Sequence, residues 1–444
     1  MKVFIFIFVL LLPISVFSQR TAFDEAVGGT TYSRIGIGFP LDIASPNADG
    51  MGLSGVSVFD PFMASLSNPA HWGKSNFTQG SVALGLQSFY AEDNFDSERS
   101  TAFDFENFQF VFPIVKQKLG ASISFTPLTR SRFNLDGVSE LQIEPGRDPI
   151  TFNTNNRGTG GVNRAEAGLG YTINDNLSVG YAASVYFTNM ENDVRTTFSS
   201  ARFSPVEFTE AITGTGFGNR FGIFSRFQQL FSDRDWISLG ATINLPVSYS
   251  ANRQVESFVC IDGIINVDGR CINGTDTLVD ILDENQIRRA DIKFPLEINA
   301  GLTYNSSARF NVSSEVIYQN WKEAEFGFRP GEEQYFVDRL KLGIGAQFHP
   351  YISNQNRGFF SNFRYSAGVS YDSGHLRIDG NDIDTIMFNA GLGIITRGDA
   401  STVDINFNFG FRGTESDNLI REQIWGIKLS LNLAEIMFLQ PRFQ

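Results

Sequence analysis

Histidine, cysteine and long apolar runs are what this chain of 444 residues has least of. Its three histidines, His71, His349 and His375, are scattered, and no Gly-x-Ser-x-Gly, His-Glu-x-x-His or phosphate-loop pattern occurs. Nothing therefore points to hydrolytic, metalloprotease or nucleotide chemistry, and no enzyme activity, cofactor or metal is expected. The two cysteines, Cys260 and Cys271, share one loop-like stretch (CIDGIINVDGRC) with no histidine or second cysteine pair beside it, which argues against zinc. Past the N-terminus no segment is apolar for the roughly 18 residues of a helical membrane span, so such spans are excluded. No run of Lys and Arg is long enough to follow phosphates and the net charge is -13, which argues against nucleic acid as a partner. Linkers and long stretches of 3.6-residue periodicity are missing too, so a multidomain soluble protein is a poor fit.

What is present begins with an export signal. Lys2 provides a positive start, Val3 to Leu12 is apolar, and Val16-Phe17-Ser18 precedes Gln19 as a cleavage site, so residues 1–18 are expected to be removed. In an exported protein, Cys260 and Cys271 are expected to form one disulfide closing a small hairpin.

The rest of the chain is dominated by period 2. From Ile237 to Tyr249 the residues Ile237, Leu239, Ala241, Ile243, Leu245, Val247 and Tyr249 share one face, opposite Ser238, Gly240, Thr242, Asn244, Pro246 and Ser248. Residues 292–304, 403–411 and 425–433 repeat the pattern, with Ile292 and Phe294 outward and Lys293 inward. A strand that faces lipid on one side and a lumen on the other must alternate in this way. Fourteen such segments are expected, near 77–90, 102–113, 118–128, 164–174, 176–188, 216–227, 236–250, 291–305, 307–319, 339–348, 362–372, 385–396, 402–412 and 422–434. In the second, Phe103 and Phe105 have one parity and Phe108, Phe110 and Phe112 the other, which implies a bulge near Glu106.

Connections after odd strands are long, at 129–163, 189–215, 251–290 and 320–338, whereas those after even strands are mostly short, with 349–361 the exception. Outer-membrane barrels have short periplasmic turns and long external loops. The fold class is thus all-β, a fourteen-stranded antiparallel transmembrane barrel in the outer membrane of a Gram-negative bacterium, its wall against membrane lipid and its N-terminus periplasmic. Residues 77–434 form the barrel and 435–444 a C-terminal tail. The histidines then fall in the N-terminal region, a periplasmic turn and an external loop, too far apart to share a site. Asp379-Gly380-Asn381-Asp382 lacks the glycine and glutamate of a calcium loop and reads as a turn.

The inward set carries both signs: Arg164, Glu166, Arg220, Arg226, Lys293, Glu297, Arg309, Glu315, Lys341, Arg364, Asp404, Arg412 and Lys428. Such charges either pair with one another and hold a plug, or line a water-filled pore. Residues 19–76 are the candidate plug, since Gly and Asn-Pro make tight turns there between short apolar pieces.

Within that region Gly50-Met51-Gly52-Leu53-Ser54-Gly55-Val56-Ser57-Val58-Phe59-Asp60, followed by Ser67-Asn68-Pro69-Ala70, resembles the N-terminal signature of the FadL family of outer-membrane transporters. The resemblance implies a fourteen-stranded barrel with an N-terminal hatch inside it, shaped by Gly50, Met51, Gly52, Gly55, Asp60, Asn68, Pro69 and Ala70. It also implies passive uptake of hydrophobic small molecules such as long-chain fatty acids, with lateral exit through the wall. Such a ligand needs an apolar pocket, and Phe59, Phe62 and Met63 are the candidates for it. Members of the PorV type, in Bacteroidetes, imply the alternative of a non-transporting barrel that partners a protein-secretion or surface-assembly machine.

Overall fold

The structure is a computed structural model that describes residues 28–94, 96–142, 149–200, 203, 205–261, 264–265, 271–272, 275–280, 287–350, 359–395 and 401–435. The signal segment 1–18, the tail beyond Glu435 and the side chains of Cys260 and Cys271 lie outside the described residues, and with them the expected disulfide.

Fourteen antiparallel strands form the wall: β1 (Thr78–Glu92), β2 (Ser97–Val115), β3 (Leu119–Arg130, continued by Phe133–Leu141), β4 (Ile150–Asn174), β5 (Leu177–Phe198), β6 (Val206–Gln228), β7 (Trp236–Asn244, continued by Val247–Ile261), β8 (Arg289–Phe294, continued by Glu297–Ser307), β9 (Phe310–Gln319), β10 (Arg339–Phe348), β11 (Phe363–Asp372), β12 (Thr385–Ile395), β13 (Thr402–Arg412) and β14 (Arg421–Glu435). The last pairs with the first, from Glu435 opposite Thr78 to Arg421 opposite Glu92, and so closes the barrel. Closure satisfies the backbone groups that an open edge would leave bare in lipid. Outward residues form an apolar belt that includes Ile123, Leu169, Leu239, Leu302, Phe388 and Phe407, all solvent-facing in the isolated chain. So continuous a band of exposed apolar side chains is stable only against lipid.

The observed strands coincide with the expected ones at the short-turn end and outgrow them at the other. β4, β5 and β6 run for 25, 22 and 23 residues, about twice what a tilted strand needs to cross a bilayer. Much of 129–163 and 189–215, expected as loops, is therefore strand that stands above the belt. Water on both faces there removes the need for alternation, which is why the pattern fades while pairing persists up to Phe152 opposite Phe198. The Glu106 irregularity is a bulge: Ala83 lies opposite Asn107 and Leu84 opposite Phe105, which keeps Phe103, Phe105 and Phe108 all on the outer face.

A second change of parity was not foreseen. β7 breaks at Leu245-Pro246 and β8 at Pro295-Leu296, side by side, with Asn244 opposite Glu297 below and Val247 opposite Phe294 above. Proline cannot donate to the ladder, so two prolines at one level let both strands turn over together. Val247, Tyr249, Ile292 and Phe294, expected outward, are consequently buried inside. Lys293 leaves the inward set and pairs with Glu323 at 3.5 Å on a solvent-accessible surface.

Below this level the inner wall is polar and glycine-rich. Above it the wall meets two connections that fold back over the mouth: Trp321, Phe326, Phe328 and Phe336 from 320–338, and Leu376 and Ile383 from 373–384. These join Tyr32, Ile37 and Phe39 in one apolar cluster. The Asp379-Gly380 pair forms the tight turn of a two-residue hairpin, both residues at positive φ.

Candidate functional site

The lumen is occupied by the chain's own N-terminal segment, residues 28–76, which runs from one end of the barrel to the other. Thr30 and Thr31 bond Glu422 at the long-connection end. At the opposite end Lys74 donates to the carbonyl of Asp175 in a short turn. The first described residues thus lie at the long-connection end, because the segment crosses the lumen before it enters β1, and the N-terminus itself lies outside the described residues.

Its path is set by short-range chemistry. Asn68 accepts from the Ala70 N–H at 3.0 Å and starts a short 3-10 turn through Lys74, with Pro69 already at the required φ. The same side chain donates to the carbonyls of Val56 and Ile223, which ties the turn to the segment and to β6. Gly52 and Gly55 have φ of +69° and +91°, a region costly for side-chain-bearing residues. Where the segment touches the wall, the wall is glycine. A Cβ on Gly120 would meet the Trp72 carbonyl oxygen at 1.9 Å, and one on Gly240 the Val56 carbonyl oxygen at 1.9 Å. Gly240→Val is expected to destabilise the folded barrel by about 2 to 3 kcal/mol through overpacking. Gly137→Ala, whose nearest neighbour would be 3.9 Å away, should change it by less than about 0.5 kcal/mol. Urea midpoints of the two variants would check this, and equal midpoints would mean that the segment is not pressed against β7.

Wall charges hold the segment at five levels. Glu315 accepts the N–H groups of Ser54 and Gly55 at 2.9 Å each and of Val56 at 3.3 Å, with the Ser54 hydroxyl and the Asn299 amide completing its shell. Arg220 donates to the carbonyls of Leu66 and Ser67 at 2.8 and 2.9 Å and also pairs with Glu166, which lies 3.8 Å from Arg164. Arg364 bridges Asp404 at 2.5 Å and Asp60 at 3.6 Å. Lys341 and Arg339 both hold Asp42, at 2.7 and 2.8 Å, and keep its carboxyl well below the usual range despite its burial. Lys428 pairs with Asp49 at 3.2 Å.

Among the remaining inward candidates, Glu297 accepts from Asn244 at 2.5 Å and from Gln319. Arg412 pairs with Glu422 at 3.2 Å and covers the Phe39 ring. Arg226 lies over Phe59 and Trp236. Arg309 is not inward: it sits exposed in the turn between β8 and β9, beyond the last residue that alternation can place. Unanticipated members include Arg339, Asp372 and Glu422. Each shares parity with an anticipated one on its own strand, Lys341, Arg364 and Lys428, so alternation carried to the strand ends would have found them.

The apolar candidates pack against separate neighbours. Phe59 packs on His71 and Phe224, Phe62 stacks on Phe77 at 5.1 Å, and Met63 places its sulfur 2.8 Å from Arg364. None of them lines two lumenal cavities of about 160 and 70 Å³. The larger is walled by Asp42, Asp49, Asp104, Arg130, Arg339 and Lys428 among others. Burial pushes the His71 imidazole down to about 3, leaving a neutral ring whose Nδ1 meets the Ser65 hydroxyl at 2.7 Å. His375 is enclosed by Phe39, Trp321 and Phe336 in the upper cluster, apart from His71. Among the described residues no three His, Cys, Asp or Glu side chains converge as metal ligands.

A closed fourteen-stranded antiparallel barrel with a lipid-facing belt and an occupied lumen is an outer-membrane barrel with the FadL-type fold. A FadL homologue from Pseudomonas aeruginosa is 13% identical with a TM-score of 0.55, the alignment covering 89% of this chain and 99% of that one. The toluene transporter TodX of P. putida is 14% identical with a TM-score of 0.55, over 90% and 99%. The toluene transporter TbuX of Ralstonia pickettii is 12% identical with a TM-score of 0.54, over 89% and 99%. At such identities these likenesses define the fold. No curated protein matches the chain by sequence. A family model described as BamG matches residues 1–444, and the chain belongs to that family.

Proposed function

We propose that this protein is a sealed outer-membrane barrel that works by binding other proteins, as a partner in secretion or surface assembly, and that it does not pass solutes through its lumen. Residues 19–76 are its hatch, 77–434 its barrel, and residues 1–18 an export signal. The long connections and the tall part of β4 to β6 face outward from the cell, as long loops of such barrels do.

The observation that carries this reading is the bonding of the segment to the wall at five levels by buried or half-buried charges. A hatch that moves for each ligand would have to break several such contacts at once. A lumenal cavity of about 160 Å³ is lined by charges of both signs, whereas sites for apolar ligands are usually about 300 Å³ or more and largely apolar. Uptake of hydrophobic compounds is the competing reading, and the shared fold with toluene transporters favours it.

Purification of the full chain in mild detergent, followed by identification of bound proteins and of extractable lipids and hydrocarbons, separates the two. The expected result is a stoichiometric protein partner with no apolar ligand beyond what an unrelated barrel carries, and no single-channel conductance in planar bilayers. A specifically bound fatty acid or hydrocarbon without any partner would reverse the assignment.

A further inference from the structure

Six of the inward cations expected from the sequence pair with carboxylates, and among the described residues Arg226 does not. It stands near the short-turn end of β6, which closes at Gln228. Its guanidinium lies over the Phe59 ring at 5.8 Å and the Trp236 ring at 5.3 Å, and its Nε has no hydrogen-bond partner. Aromatic rings take the face of the planar group and leave its edge, where the N–H donors project, for another acceptor.

A second unpaired cation stands beside it. Lys74 ends the short turn that begins at Asn68 and donates to the Asp175 carbonyl at 2.9 Å. The Arg226 N–H goes to the neighbouring Asn176 carbonyl, so one tight turn between β4 and β5 holds both residues. Lys74 Nζ lies 6.0 Å from the Phe224 ring, which is 5.8 Å from Phe59, and the two cations thus flank one aromatic cluster completed by His71. The Asp175 carboxylate is exposed on the same turn and forms an ion pair with neither of them. Like charges held at one place repel, and a shared anion relieves both.

The pair is only partly buried and therefore within reach of a ligand. Arg226 has the inward parity of Arg220 and Phe224, both buried, and Lys74 belongs to the inner segment. The pair accordingly opens towards the periplasm inside the ring of short turns. Lipid headgroups would meet Lys118 instead, which lies over the outward Tyr171 at 5.2 Å.

We propose that Lys74 and Arg226 receive a carboxylate from an acidic segment of a periplasmic partner protein. The inference rests on the partner reading given above and names a docking point at the periplasmic end. A carboxylate matches the guanidinium edge through two parallel N–H···O bonds, and Lys74 adds a point charge. Free phosphate shares this anion chemistry and is the other source the test must separate.

The test uses the full chain in mild detergent and a dye-labelled oligoglutamate peptide, read by fluorescence anisotropy. Expected is binding that weakens with salt and falls roughly tenfold or more in the double variant Arg226→Gln with Lys74→Gln, while heat-modifiable mobility shows the barrel intact. Arg226→Lys should be intermediate, since it keeps the charge and loses the planar fork. Arg377→Gln, at the opposite rim, should bind as the unaltered chain does. Peptide binding that ignores the double variant, or that inorganic phosphate abolishes at equal concentration, would overturn the proposal. In the native membrane, a photo-reactive phenylalanine analogue at position 176 should give adducts on an Asp- or Glu-rich stretch of one periplasmic protein, lost in the double variant. If a partner co-purifies and its yield and adducts are unchanged in that variant, the pair is not its docking point, and the partner reading stands. A preparation with no partner at all would remove the partner reading itself, and this docking point with it.

Discussion

Glu315→Ala is expected to destabilise the barrel by about 4 kcal/mol and to turn a closed lumen into a conducting one. The carboxylate takes three consecutive backbone N–H groups of Ser54 to Val56, one hydroxyl and one side-chain amide. Alanine would strand these donors in a buried site, and each unsatisfied buried donor costs on the order of 1 to 3 kcal/mol, less what entering water recovers. Gly52 and Gly55 at positive φ hold the adjoining turn in a shape that this acceptor favours. Without it the segment can leave the wall beside β9. Glu315→Gln keeps the size and one acceptor oxygen, so it should cost only about half as much. Urea titration of protein in vesicles, followed by heat-modifiable mobility, reads the stability, and planar bilayer recording reads the opening. Wild-type stability with no conductance in the alanine variant would mean that the segment is held by its other contacts.

The second large effect is expected at Glu166. Its side chain is 1% exposed, beside Arg164 and Arg220 at 3% and 4%. Removing the carboxylate leaves two guanidinium groups buried without their shared counter-charge, and breaking a buried pair from one side costs about 3 to 5 kcal/mol. Arg220 also holds the Leu66 and Ser67 carbonyls, so the loss should extend to the turn at Asn68. Glu166→Ala with Arg164→Met is the informative double variant, since an apolar replacement of one guanidinium should recover part of the loss. Additive losses in that cycle would show that Arg164 and Glu166 are not coupled, against their 3.8 Å separation.

Much of the wall was legible from alternation alone. β13 reads Val403, Ile405, Phe407, Phe409 and Phe411 outward against Asp404, Asn406, Asn408 and Gly410, and the strand spans Thr402–Arg412. The bulge at Glu106 was legible because two sets of phenylalanines disagree in parity. The reversal at Pro246 and Pro295 was not, because Val247, Tyr249, Ile292 and Phe294 are as suitable for lipid as for an apolar interior. Only the neighbouring connections, Trp321 and Phe336 among them, reveal that an interior exists there. Likewise Arg309 has the parity of an inward residue, yet β9 begins only after it, at Phe310.

The sequence by itself determined the number of strands, their lipid-facing sides in the belt and the sense of their connections. Water and lipid impose opposite requirements on successive residues, and that contrast is written locally, two residues at a time. Tertiary structure alone decided that the lumen is filled, that the filling segment runs from the long-connection end to the short-turn end, and which wall charge meets which backbone group. Glu315 and Ser54 are 261 residues apart, and a bond between such positions follows from how the closed wall brings them together, which no local pattern encodes.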